Sequence, residues 1–128
     1  MPAQLSPDAP SVLRDYYRIL ESGSEAFAQG AELRELLSPH LDFTGPLAGH
    51  RPDATEGFIR GVAGFIATVR AIDLVQDVHD AAGSAVLYRA EMPGGPMTFA
   101  EFFRLADGRI TALHLHYSGP EYLEKGGR

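Results

Sequence analysis

The sequence predicts an α+β domain, with three N-terminal helices packed in the concave face of a curled, mixed but mainly antiparallel β-sheet. Three observations lead there. Apolar residues recur at helical spacing through the first half of the chain, and the spacing changes to two from residue 71 onward. Asp107-Gly108 then sits between two runs rich in aromatic and branched residues, the strongest short signal for an antiparallel hairpin.

The first helix is capped by Ser6 or Asp8 and buries Ala9, Val12, Leu13, Tyr16, Ile19 and Leu20, ending at Ser22-Gly23. Residues 24–30 read as a loop or broken turn around Phe27. A short second helix, Ala31 to Leu37, stops at Ser38-Pro39, because a residue before proline avoids helical angles. His40 to His50 is a short strand running into a turn rich in glycine and proline. Asp53-x-x-Glu56 has the form of a capping box for a third helix, whose buried face is Ala54, Phe58, Ile59, Val62, Phe65, Ile66 and Val69. Gly57, Gly61 and Gly64 form a neighbouring stripe that either packs closely on the sheet or leaves room for a ligand. Four strands come next. Ile72, Leu74, Gln76 and Val78 alternate in the first of them, Ala85 to Glu91 returns, and the hairpin of residues 97–117 closes the sheet. A long twisted sheet of this kind curls around the first and third helices, and the open end of that cone is the expected pocket.

The 128 residues make one domain, 1–128, with residues 1–7 and 120–128 expected to be flexible. A net charge of −6 with scattered basic residues speaks against nucleic acid as a partner, and no window is apolar enough for a membrane span. The chain contains no cysteine, which excludes disulfides, zinc–thiolate sites and thiol catalysis. The start of the sequence lacks the pattern of a signal peptide, so the expected location is the cytoplasm.

Chemistry is concentrated in the last hairpin. Glu101 is flanked by Phe99, Phe102 and Phe103, and a carboxyl in apolar surroundings either has a raised pKa and handles a proton or is bonded to a tyrosine or arginine. His114 and His116 share one face of their strand. With a two-residue turn, Glu101 lies opposite His114 and Phe99 opposite His116. With a glycine bulge at the turn, Glu101 faces Leu113 and both histidines go to the outer face. A metal site from His-x-His and Glu101 is the weakest alternative, and no metal or cofactor is expected. His50 and Arg51 sit at a turn that reads as a solvated loop or as the edge of the mouth, while His40, His79, Arg60 and Arg70 read as surface residues.

The tyrosine-bearing first helix (Asp15-Tyr-Tyr-Arg-Ile-Leu20), the Leu41-Asp-Phe-Thr-Gly-Pro-Leu-Ala-Gly49 strand and turn, the Phe58-to-Val69 helix and the closing Phe102-to-Ile110 hairpin together carry a family likeness. Across about residues 10 to 118 the chain resembles the NTF2-like superfamily, also described as SnoaL-like or ketosteroid-isomerase-like. The superfamily holds isomerases, polyketide cyclases, epoxide hydrolases, dehydratases and silent binding modules. By this resemblance Tyr16 matches an oxyanion-hole tyrosine and Glu101 a protonated second donor. The isomerase base does not carry over, because Thr44-Gly45 stand before Pro46 and Asp42 lies two residues early. The resemblance implies a SnoaL-like small-molecule protein doing cofactor-free isomerisation, cyclisation or dehydration. Glu101, Tyr16, His116 and His114 are its candidate catalytic residues, and Phe58, Phe65, Tyr88, Phe99, Phe103 and His50 its candidate ligand contacts. The alternative is a non-catalytic ligand-binding or dimerisation module. The expected partners are a small hydrophobic molecule and a second copy of the chain, paired through the outer sheet face.

Overall fold

A computed structural model describes residues 4–127. The flexibility expected of residues 1–3 and Arg128 lies outside the described residues. The element order is α1 (Ser11–Glu21), α2 (Ser24–Phe27), a 3-10 turn (Ala28–Gly30), α3 (Ala31–Leu36), β1 (Leu37–Gly45), β2 (Gly49–Arg51), α4 (Thr55–Thr68), β3 (Ala71–His79), β4 (Gly83–Met92), β5 (Gly95–Ala106), β6 (Arg109–His116) and α5 (Gly119–Glu124). Six strands form one curled, unclosed sheet in the order β2-β1-β6-β5-β4-β3. Among the described residues only β1 and β6 run parallel, so the sheet is mixed and mainly antiparallel, as the pattern predicts.

Helices α1 and α4 fill the hollow of the sheet. α1 buries Val12, Leu13, Tyr16, Tyr17, Ile19 and Leu20, a face one residue wider than expected because Tyr17 also turns inward. α4 buries Phe58, Ile59, Val62, Phe65 and Ile66. The capping box before α4 does not form: Asp53 turns to His40 and Glu56 to Arg34, and no side chain caps the helix. Thr55 ties this corner instead, donating to the Ser38 carbonyl and accepting from Leu41 N–H. Neither Ser6 nor Asp8 caps α1, whose N-cap is Pro10.

Two single-residue bulges, in β3 and β6, each bend their strand and reverse the side-chain alternation beyond them, and β1 has a longer irregularity against β6 between Leu37 and Asp42. At Val75 in β3, the bulge moves Gln76 and Val78 to the outer face and brings Asp77 and His79 inside, opposite Val86 and Ser84. Gln76 and Val78 therefore do not continue the inner row begun by Ile72 and Leu74. At Thr111 in β6, the bulge lets both Ile110 and Leu113 point into the core. The Asp107-Gly108 turn itself has two residues at positive φ (55° and 75°), the geometry that matches strand twist in a two-residue hairpin.

Where described, both end segments make contacts with the rest of the fold. Ser6 N–H donates to Asp77 Oδ2 across 2.9 Å, and the Ser6 hydroxyl donates to the same oxygen. Residues 119–124 form α5, capped by Ser118 accepting from Glu121 N–H, with Tyr122 buried against the core.

Candidate functional site

A cavity of about 570 Å³ lies between the concave face of the sheet and helices α1 and α4, within the size range of small-molecule sites. Its deep end is formed by Tyr16, Tyr88, Phe99 and Glu101, all buried. Its mouth is formed by exposed residues of the β1–β2 region and of α4, among them Leu47, Arg51, Gly57, Arg60 and Gly61.

Glu101 is the centre of the deep end. Its place on β5, opposite Val86 on one side and Leu115 on the other, commits its side chain to the interior, where it is 1% exposed. Two phenols from α1 meet it: Tyr16 donates to Oε2 across 2.8 Å and Tyr17 to Oε1 across 2.7 Å. Consecutive helix positions diverge by about 100°, so the tyrosines grip the carboxyl from two sides with their rings edge to face. Burial raises the Glu101 pKa to about 7, against the lowering effect of the two phenol bonds. Burial, and then the adjacent Glu101 carboxylate, push both phenols well above their ordinary value, so both stay protonated donors. Tyr17 is absent from the candidates the sequence singles out; its signal there is adjacency to Tyr16 on a helix whose apolar face is broad.

No protein-family model matches the sequence, and no curated protein matches it. Solved structures do. An NTF2-like protein of unknown function from Cytophaga hutchinsonii is 18% identical, with 96% of this chain and 99% of that one aligned at a TM-score of 0.67. A steroid delta-isomerase from Pseudomonas aeruginosa is 14% identical over 96% and 88% of the two chains, at 0.71. A de novo designed NTF2 fold protein is 18% identical over 95% and 92%, at 0.68. The chain has an NTF2-like fold. Identities this low speak for architecture, and the chemistry has to be read from the residues themselves.

Within the cavity, Phe58, Phe65, Tyr88 and Phe99 line the walls. Phe103 does not reach it: its ring packs edge-on beneath Tyr16, with centroids 5.4 Å apart. His50 is also outside, exposed on β2 with Nε2 at 3.1 Å from both carboxylate oxygens of Asp42. Strand parity explains this, since Phe43 faces the cavity and therefore Asp42 and Thr44 face away.

The histidines of β6 are the main departure. Glu101 pairs with Leu115, while His114 pairs with Phe102 and His116 with Ala100. Both imidazoles are exposed on the outer face and stack on each other at 4.8 Å. The two-residue turn forms and pairs Leu105 with Ile110, as the first register has it, but a bulge at Thr111 shifts the pairing beyond it, so Glu101 meets Leu115 and both histidines go to the outer face, as the second register has it. His114 and His116 accordingly do not meet Glu101, and the three do not converge on a metal. Among the described residues no group of three or more His, Asp or Glu side chains is placed to hold one. Among the same residues no helix is long and apolar enough to cross a membrane.

His79, read from the sequence as a surface residue, is interior: its side chain is 4% exposed, with Nε2 at 2.5 Å from Asp77 Oδ2 and Nδ1 at 2.7 Å from Ser84 Oγ. This second polar cluster sits under the Ser6 segment and lines no part of the NTF2-like cavity.

Proposed function

We propose that this protein holds a compact, mainly apolar small molecule in the cavity and moves a proton on it without a cofactor, in an isomerisation, cyclisation or dehydration. The observation that carries the reading is Glu101, a carboxyl at the deep end of an apolar cavity with two phenols as partners and a pKa of about 7. A group poised near neutrality serves equally as acid and base. Protonated on Oε2, Glu101 donates to the Tyr16 oxygen and frees the Tyr16 O–H to turn into the cavity, which both residues line. Ionised, it accepts from both phenols and can receive a proton from the ligand. Tyr17 lies behind the carboxyl, outside the cavity lining, and positions it. With His114 and His116 on the outer face, the base role falls to Glu101 itself.

The test is proton exchange. A panel of enolisable ketones is incubated with the protein in deuterated buffer, and isotope uptake is followed by NMR. Glu101→Gln is expected to slow uptake by about 10²–10⁴-fold; an undiminished rate in that variant overturns the proposal.

A non-catalytic binding module is the second reading, favoured by one feature: two phenols already satisfy both Glu101 oxygens, a complete structural arrangement. Ligands that raise the melting temperature of the protein yet exchange no protons would select it. We also infer a symmetric homodimer through the outer sheet face, where Phe102 is 50% and Val78 57% exposed. Sedimentation showing only monomer at micromolar concentration would exclude it.

A further inference from the structure

The two ends of the cavity differ in charge. The deep end offers hydrogen-bond donors and one titrating acid. The mouth carries two guanidinium groups, Arg51 and Arg60, against one lining carboxylate, Asp53, in a chain whose net charge is −6. The carboxylates around them are engaged elsewhere. Asp53 faces His40, with Oδ1 at 2.7 Å from Nδ1. Glu56, which also feels Arg60 electrostatically, is gripped by Arg34 through Nε and Nη2, each at 2.8 Å. Among the described residues neither Arg51 nor Arg60 forms an ion pair. Arg51 is nevertheless oriented, because its Nε donates to the Ala48 carbonyl across 2.9 Å and leaves both terminal nitrogens available.

Beside Arg60 the floor of the mouth is bare backbone. Gly57 and Gly61 are one turn apart on α4 and both line the mouth. A β-carbon on Gly61 would meet nothing within 4 Å, and one on Gly57 would meet only Arg60 Nη2, at 3.7 Å. Close packing therefore does not account for these glycines. They leave an open shelf, with the Arg60 guanidinium lying over part of it.

We propose that the ligand of this cavity is an anionic amphiphile, with a carboxylate held by Arg51 and Arg60 above the Gly57–Gly61 shelf and an apolar body reaching in toward Glu101 and Tyr16. A planar guanidinium matches a carboxylate through paired N–H donors, and the walls between the two ends are aromatic: Phe43, Phe58, Phe65 and Phe99. The assignment rests on the cavity being the ligand site, as proposed above, and it adds which end of the ligand enters last.

Isothermal titration with ω-phenylalkanoates of increasing chain length and the matching ω-phenylalkanols tests it. At about pH 6 the probe acids are ionised while Glu101 is mostly protonated. The acid of best-fitting length is expected to bind about tenfold more tightly than its alcohol. Added salt should shrink that preference. Arg51→Gln and Arg60→Gln should each weaken the acid alone, and the double variant should make acid and alcohol equal. Equal binding of the pair by the unaltered protein overturns the head-group assignment and leaves the cavity reading standing. Failure of every acid and alcohol to bind overturns both. Both arginines are exposed, so the variants fold.

Discussion

Asp77 and Glu101 lie in one transverse row on the inner face of the sheet, two strands apart with Val86 between them. Both carboxylates leave bulk water, yet their surroundings act in opposite directions. Glu101 has phenols for partners, and burial lifts its pKa to about 7. Burial also works to raise Asp77, but bonds from the Ser6 hydroxyl, from His79 and from the Ser6 N–H outweigh it and hold that pKa below the ordinary value. The difference shows partners acting together with depth, since Glu101 is also the deeper of the two. A partner that can carry positive charge, plus a third donor, keeps the proton off; two neutral hydroxyls do not. It also separates roles. The acid that can change charge near neutrality faces a cavity, and the one locked as an anion fastens the N-terminal segment.

The largest expected effect sharpens this contrast through pH. A folded-state pKa above the unfolded value means the folded chain binds more protons between the two, so stability falls as pH rises from about 4.5 through 7 and levels off above. The size of that fall is about 3 kcal/mol. Glu101→Gln carries no titrating proton, so urea unfolding should show the variant gaining on the unaltered protein by most of that amount between about pH 5 and pH 8. A constant gap would break the contrast. Asp77→Asn should behave in the reverse sense. Its lowered pKa contributes stability above the unfolded value near 3.8 that is lost as pH falls through the folded one. The variant should therefore lose about 1–3 kcal/mol at neutral pH and approach the unaltered protein in acid, followed by the same unfolding curves.

Tyr17→Phe removes one of the two bonds that favour the Glu101 anion, so its pKa should rise further while ligand affinity is unchanged, because Tyr17 lines no part of the cavity. Carboxyl 13C NMR titration reads this directly; a pKa that stays put would mean Tyr16 alone sets the site. The smallest effect is Gly61→Ala, where a methyl group meets nothing within 4 Å. It should stabilise the fold by up to about 1 kcal/mol in thermal melts while narrowing the mouth, so stability rises as affinity for long ligands falls.

Elements with strong periodicity were legible in the sequence: α1, α4 and the Asp107-Gly108 turn lie where spacing and turn chemistry put them. The residues that define the site depended on something finer. A single extra residue reverses every side chain beyond it, and neither the Val75 nor the Thr111 bulge falls at a glycine or proline that would announce it. Ile110, Leu113 and Leu115, spaced by three and then two, did carry a trace of the Thr111 bulge. For Val75 the trace was reversed, because Gln76 and Val78 kept up an apparent alternation on the outer face. His79 and Ser6 are brought together by tertiary packing, over a separation no local pattern reports. Tyr16 and Glu101 were visible as candidates because a polar group among aromatic neighbours needs a reason wherever the chain goes.

The parallel pairing of β1 with β6 has a consequence for how this chain is made. Phe43 waits for Leu113, so the strand that comes after the first helices lacks a major neighbour until the chain has been made as far as β6. The three C-terminal hairpin partners, β4, β5 and β6, can zip locally first, and closing the long intervening loop comes last. Chains truncated before residue 109 would carry β1 as an open edge able to recruit a strand from another molecule.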